Sequence, residues 1–175
     1  RDLSRFKIPS FSPDLARRIL FEVAVAETPN RLEIARAIGK TPRQIEAYFQ
    51  ALKSLFVINE IDPHPTSIGK PLFYIFDAGI AKSMGAGSHR CLQIWILNQC
   101  YSSFCYSVQI RPDIFHYETT RGSKIDFIVK TKVGSTAFQL TEKEAPSTYE
   151  LRAVYAFEKK HKKIPVQVLA PCLNH

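Results

Sequence analysis

The sequence predicts an α+β fold in two parts, a helix-rich first half that ends in a hairpin and a small α/β second half. Three observations predict it. Apolar residues recur at helical spacing from Leu15 to about Ser54. Two strand-like runs then flank a link that holds Pro63, Pro65 and Gly69. Beyond Gly85-Ala86-Gly87 the pattern becomes helix, three strands, helix and strand. The boundary is placed there, giving predicted domains 1–84 and 85–175.

Ser12-Pro13-Asp14 opens the first helix, with a Ser cap and Pro at the first helical position. Leu15, Ile19, Leu20 and Val23 form its stripe, and Thr28-Pro29-Asn30 ends it. Asn30 caps a short helix from Arg31 to Ile38, with Glu33 in its first turn. Gly39 stops it. Thr41-Pro42 starts a third helix whose stripe is Ile45, Tyr48, Phe49 and Leu52. Helix, glycine turn and helix over so short a span is a helix-turn-helix signature. Strands are predicted at Phe56 to Ile61 and Leu72 to Asp77, which makes the first half a winged helix. In the second half, Cys91 to Tyr101 reads as a helix buried on most sides. Strands follow at Ile114 to Glu118, Lys124 to Thr131 and Thr136 to Thr141. Ser147-Thr148 is expected to cap a helix from Tyr149 to Lys160. Pro165 to Ala170 reads as a last, buried strand.

Composition narrows the function. The chain has 175 residues, 45% apolar and 23% charged, which excludes a disordered tail. No run reaches the roughly 18 apolar residues of a membrane span. Positions 1–20 lack the apolar core of a signal peptide. The expectation is a cytoplasmic protein with no membrane partner. The first residue is Arg1 and Met84 is the single methionine, so a piece of a longer protein is expected. Lys plus Arg is 24 against 16 Asp plus Glu, a net charge of +8 that favours an anionic partner such as nucleic acid. Cys91, Cys100, Cys105 and Cys172 have no zinc or dithiol spacing, and free core thiols are expected.

Two surfaces are candidates for DNA binding. The third helix offers Arg43, Gln44, Glu46, Ala47, Gln50 and Lys53 outward, and a recognition helix makes base contacts from such a face. Arg43, Gln44, Gln50 and Lys53 are the candidate contacts. The competing reading is a solvated or protein-contacting face, and Glu46 weighs toward it. Lys159, Lys160, Lys162 and Lys163, around His161, form a second basic cluster that suits a phosphate backbone. The competing reading is cations placed at a helix C-terminus by its dipole.

The order Tyr117, Gly122, Ile125-Asp126-Phe127 resembles the "Tyr…Gly…Val-Asp-Phe" hairpin of a C-terminal region found behind many bacterial and archaeal P-loop ATPases of the AAA+ type. The segment Pro71-Leu72-Phe73-Tyr74-Ile75-Phe76-Asp77-Ala78-Gly79-Ile80-Ala81 is similar to that family's "Pro-Lys-x-Tyr-Phe-x-Asp-x-Gly-Leu" signature. The resemblance implies an ATPase module first, then a winged helix, then a domain similar to PD-(D/E)xK nucleases (restriction-endonuclease-like). Such nucleases hold one or two hard cations with carboxylates, and a Lys positions the attacking water.

By the resemblance, the helical Glu of the site falls on Gln93, the strand Asp on Asp126, and the Glu and Lys of Glu-x-Lys on Gln139 and Thr141. One of the four positions keeps its residue. An amide offers Mg²⁺ a neutral carbonyl but not the charge that holds it. Lys143 and Glu118 are the places to which the chemistry would have moved. The expected function is therefore non-catalytic binding, of DNA or a protein partner, by the C-terminal region of a prokaryotic AAA+-type ATPase. The alternatives are a nuclease with a migrated, Mg²⁺-dependent site and a winged-helix transcription regulator. No Gly-x-x-x-x-Gly-Lys-Ser/Thr occurs, so ATP and its hydrolysis belong to a module outside this sequence, which would itself be a partner.

Overall fold

The computed structural model describes residues 11–108, 112–143, 145–149 and 151–170. The chain is α+β, with six helices among those residues. It divides into two units, residues 1–61 with 71–95 and residues 62–70 with 96–175.

The first unit is built on three helices, α1 (Pro13–Val25), α2 (Arg31–Ala37) and α3 (Pro42–Ser54). Each starts where a side chain satisfies an otherwise orphaned backbone N–H. Ser12 Oγ accepts from Leu15 N and Asn30 Oδ1 from Glu33 N. Thr41 and Gln44 cap each other reciprocally at the head of α3. Gly39 ends α2 at φ +67, a conformation that costs a residue with a Cβ about 1 kcal/mol or more. The end of α3 makes the same kind of turn with Phe56, at φ 56. Strand β1 (Ile58–Pro63) then pairs antiparallel with β2 (Leu72–Ile75), Ile58 opposite Ile75 and Ile61 opposite Leu72. Ile19, Val23, Ile34, Ile45, Phe49, Ile58 and Phe73 fill the core, and the Phe49 and Phe73 rings lie 4.3 Å apart. Arg90 is buried within it, 3.8 Å above the Tyr74 ring. Its guanidinium donates to the carbonyls of Val23 and Phe73, so the buried charge is hydrogen-bonded.

In the second unit, β3 (Asp113–Glu118), β4 (Lys124–Thr131) and β5 (Gly134–Leu140) form an antiparallel meander. Beside β3, Asp62–Pro63 at the end of β1 pairs parallel with Phe115–His116. Helix α6 (Arg152–Lys160) leads to β6 (Val166–Leu169), which returns parallel to β5. Tyr117, Ile125, Ile128, Ala137, Val154 and Phe157 form the core between α6 and the strands. His116 is also buried, and its Nε2–H donates to the Lys70 carbonyl at 2.9 Å. A Cβ on Gly69 would come within 2.4 Å of the His116 ring, which explains the glycine in the link.

Several expectations need correction. Phe56 is not in a strand; it caps α3. The strand from Leu72 stops at Ile75 because Asp77 caps a short helix, α4 (Ala78–Ser83), through its Oδ1 and Ile80 N. The predicted Cys91–Tyr101 helix runs over Ser88–Val108 as α5, and Trp95 on it is 53% exposed, so it is not apolar-packed all round. The last helix starts at Arg152 without a side-chain cap, not at Tyr149. Strand β6 is not buried: Gln167 and Val168 are exposed because it has a strand neighbour on one side only. Cys91 and Cys100 are free and partly buried, and burial pushes the Cys100 thiol up to about 11. The side chain of Cys105 and the whole of Cys172 lie outside the described residues.

Candidate functional site

Two of the four expected site positions, Asp126 and Gln139, are joined by a hydrogen bond. Asp126 and Gln139 face each other across β4 and β5. Gln139 Nε2 donates to Asp126 Oδ2 at 2.8 Å, and the Leu140 N–H donates to the same oxygen at 2.8 Å. The opposite amide orientation would set a carbonyl against the carboxylate, so the chemistry fixes this one. Gln139 Oε1 is buried and accepts no hydrogen bond. Across the strands, the Asp126 carboxylate meets a neutral amide rather than a second carboxylate.

Gln93 belongs to the first unit and accepts from Arg90 at 3.2 Å. Thr141 Oγ1 accepts from the Lys143 N–H at 3.1 Å, closing a turn just after β5. Strand β5 ends at Leu140, so Lys143 does not share its alternation with Gln139. Glu118 is opposite Lys124 and pairs with it at 3.7 Å. Among the described residues, no group of three or more His, Cys, Asp or Glu side chains could hold a metal ion.

The outer face of α3 is largely neutralised by its own unit. Lys53 is ion-paired with Glu60, and Arg31 is paired with both Glu46 and Glu60. Gln50 donates to Glu46 at 2.7 Å. Gln44 spends its carbonyl on the capping box. Arg43 is exposed and makes no ion pair among the described residues.

The end of α6 is the opposite case. Lys159, Lys160, Lys162 and Lys163 are exposed, and none is ion-paired among the described residues. The C-terminal dipole of α6 favours cations there. His161 closes the helix and stacks on Phe157 at 4.5 Å. It also meets the edge of Tyr117 at 5.4 Å. Lys160 Nζ donates to Tyr117 Oη at 3.0 Å, which fixes the ammonium over the ring.

His64, just beyond the end of β1, comes to the same place. Its ring lies 5.8 Å from that of His161 and 5.8 Å from that of Phe115. Thr66 Oγ1 stands between the imidazoles, 2.9 Å from His64 Nδ1 and 3.4 Å from His161 Nε2. Burial first, then His161, Lys130 and Lys160, lower the His64 pKa. Burial and then Lys160 lower that of His161. Both rings are therefore neutral at pH 7 within a positive surround. Nearby, a groove of about 430 Å³ is lined by Val129, Thr131, Thr136, Phe138, Lys163 and Pro165.

The sequence pointed to the lysines but not to His64 and Thr66. The latter arrive through the parallel pairing of Asp62–Pro63 with β3, a contact across more than fifty residues that no local pattern announces. No helix among the described residues is long and apolar enough to cross a membrane. Comparison with protein-family models, with curated proteins and with solved structures gives no match to this chain.

Proposed function

We propose that this chain binds nucleic acid without cutting it, as the C-terminal region of a prokaryotic AAA+-type ATPase. On this reading the first unit is a winged helix-turn-helix and the second a degenerate PD-(D/E)xK-like domain. The observation that carries binding is the run of four exposed lysines at the end of α6, none of them ion-paired among the described residues. With no ion pair to a carboxylate among the described residues, their charge is available to neutralise phosphates and release counterions. The absence of cutting is supported by Asp126, whose Oδ2 is committed to an amide and a backbone N–H.

The contact surface favoured here differs from that of an ordinary winged-helix reader. Lys53 would have to leave Glu60 to reach a base or phosphate, and a rearranged ion pair adds little affinity. Arg43 is the α3 residue best placed to contribute. The self-paired face of α3 favours, for the first unit, a protein contact such as the ATPase module itself.

Fluorescence anisotropy with labelled duplex and single-stranded DNA tests the proposal, with Mg²⁺ present and the DNA recovered on a gel. Binding with the DNA left whole is expected. Absence of binding at low salt overturns the nucleic-acid reading. Mg²⁺-dependent cleavage that is lost in Asp126→Ala overturns the non-cleaving one.

A further inference from the structure

We propose that His64, Thr66, Lys160 and His161 form a binding site for a phosphoryl group of nucleic acid. The proposal deepens the reading above, on which it rests for the source of the phosphate. Its chemistry starts from the hydrogen-bond chain. The Thr66 backbone N–H points to His64 Nδ1 at 3.4 Å, so Nδ1 is an acceptor and the His64 proton sits on Nε2. The Thr66 hydroxyl then donates to His64 Nδ1 and accepts from His161 Nε2–H. Two imidazoles and one hydroxyl are thus linked at the surface, beside an ammonium that is hydrogen-bonded to Tyr117.

Among the described residues, the groups that act on these two rings are cationic or neutral. They are Lys130 on β4, Lys160 on α6 and the two histidines themselves, with the Tyr117 hydroxyl already taken by Lys160. Among the described residues, no carboxylate shifts the titration of either ring. That field repels a metal cation, and among the described residues a cation would find no third imidazole, thiolate or carboxylate. It attracts an oxyanion instead. A phosphoryl oxygen can accept from the remaining N–H groups of Lys160, from the Thr66 hydroxyl after it turns, and from His161. Thr66 and Lys160 are exposed and the imidazoles half-exposed, so the ligand has access. Aromatic rings of Phe115, Tyr117 and Phe157 back the cluster and hold it rigid.

An anion bound here favours protonated imidazole, so it raises the pKa of both rings. NMR titration of the histidine imidazoles in this chain reads that directly, with inorganic phosphate and with a short 5′-hydroxyl DNA oligonucleotide as probes. His116, buried in the same unit and bonded to the Lys70 carbonyl, is the internal control. Both probes are expected to raise the pKa of His64 and His161 and to leave His116 unmoved. Thr66→Val and Lys160→Met are each expected to weaken phosphate binding by about 5-fold or more. If phosphate moves the two rings and DNA binds nowhere, the phosphoryl site stands and the nucleic-acid reading falls. If DNA binds while both rings keep their titration curves, this site is overturned and the broader reading stands. Rings that respond to Zn²⁺ but not to phosphate also overturn it.

Discussion

Phe56 is held in the left-handed region at φ 56 with 70% of its surface exposed. Its N–H donates to the Lys53 carbonyl and that of Val57 to Leu52, the paired turn that normally carries glycine. Phe56→Gly removes the steric penalty and loses little buried area. It is expected to raise stability by about 1 kcal/mol, read as a higher urea midpoint; a fall of that size would contradict the strain argument. His116 makes a second case. Burial lowers its pKa from 6.5, against the smaller opposing pull of the Lys70 carbonyl, Glu118 and Asp62. The unfolded chain therefore takes up a proton before the folded one does. Stability is fully present above pH 6.5 and is lost as pH falls from there through the folded value. His64 and His161 act in the same direction. Thermal melts from pH 7.5 down to about pH 5 should show a falling midpoint, shallower in His116→Gln, whose buried side chain does not titrate. Asp126 adds a third residue-scale expectation. Its carboxylate carries two hydrogen bonds in β4–β5, so Asp126→Ala should cost about 1–3 kcal/mol by denaturation.

Elements were legible where short-range rules govern them. Ser12, Asn30 and Thr41 each cap the helix expected of them, because N-capping is a contact across three residues. Thr41→Ala should cost about 1 kcal/mol, and Gln44→Ala less, since Thr41 alone still caps one N–H; equal losses would argue against a reciprocal cap. The β4 strand, Lys124 to Thr131, has the bounds its sequence predicts. Legibility failed where two rules compete. Asp77 continues a strand by apolar run but starts α4 by its side chain, and the cap wins. The Val-Gln-Val-Leu-Ala composition suggests burial, yet β6 lies at the edge of its strands and stays half-open. Ser147-Thr148 looks like a cap, but the helix begins later, after a turn in which Leu151 N donates to the Ser147 carbonyl.

For the molecule as a whole, the periodicity and order of the segments indicated an α+β chain, and the structure has that class. The candidate site was legible only in part. The lysines of α6 stand out as a run of charge. Whether a charge is available depends on its partners, and those are long-range. Lys53 sits on a polar helical face and is ion-paired with Glu60, while Lys159, Lys162 and Lys163 make no ion pair among the described residues. His64 and Thr66 join them only after β1 has paired with β3. The hydrogen bond from Gln139 to Asp126 depends on the pairing of β4 with β5 and is not announced by any local pattern.

The central claim is that this basic cluster binds nucleic-acid phosphates. The most direct test compares the salt dependence of DNA binding in the parent chain and in Lys159→Ala/Lys162→Ala/Lys163→Ala. The parent should lose affinity linearly in log–log form, and the triple variant should show a slope shallower by roughly 0.9 per phosphate contact removed. The same slope and affinity in both proteins would place the interface elsewhere and contradict the account.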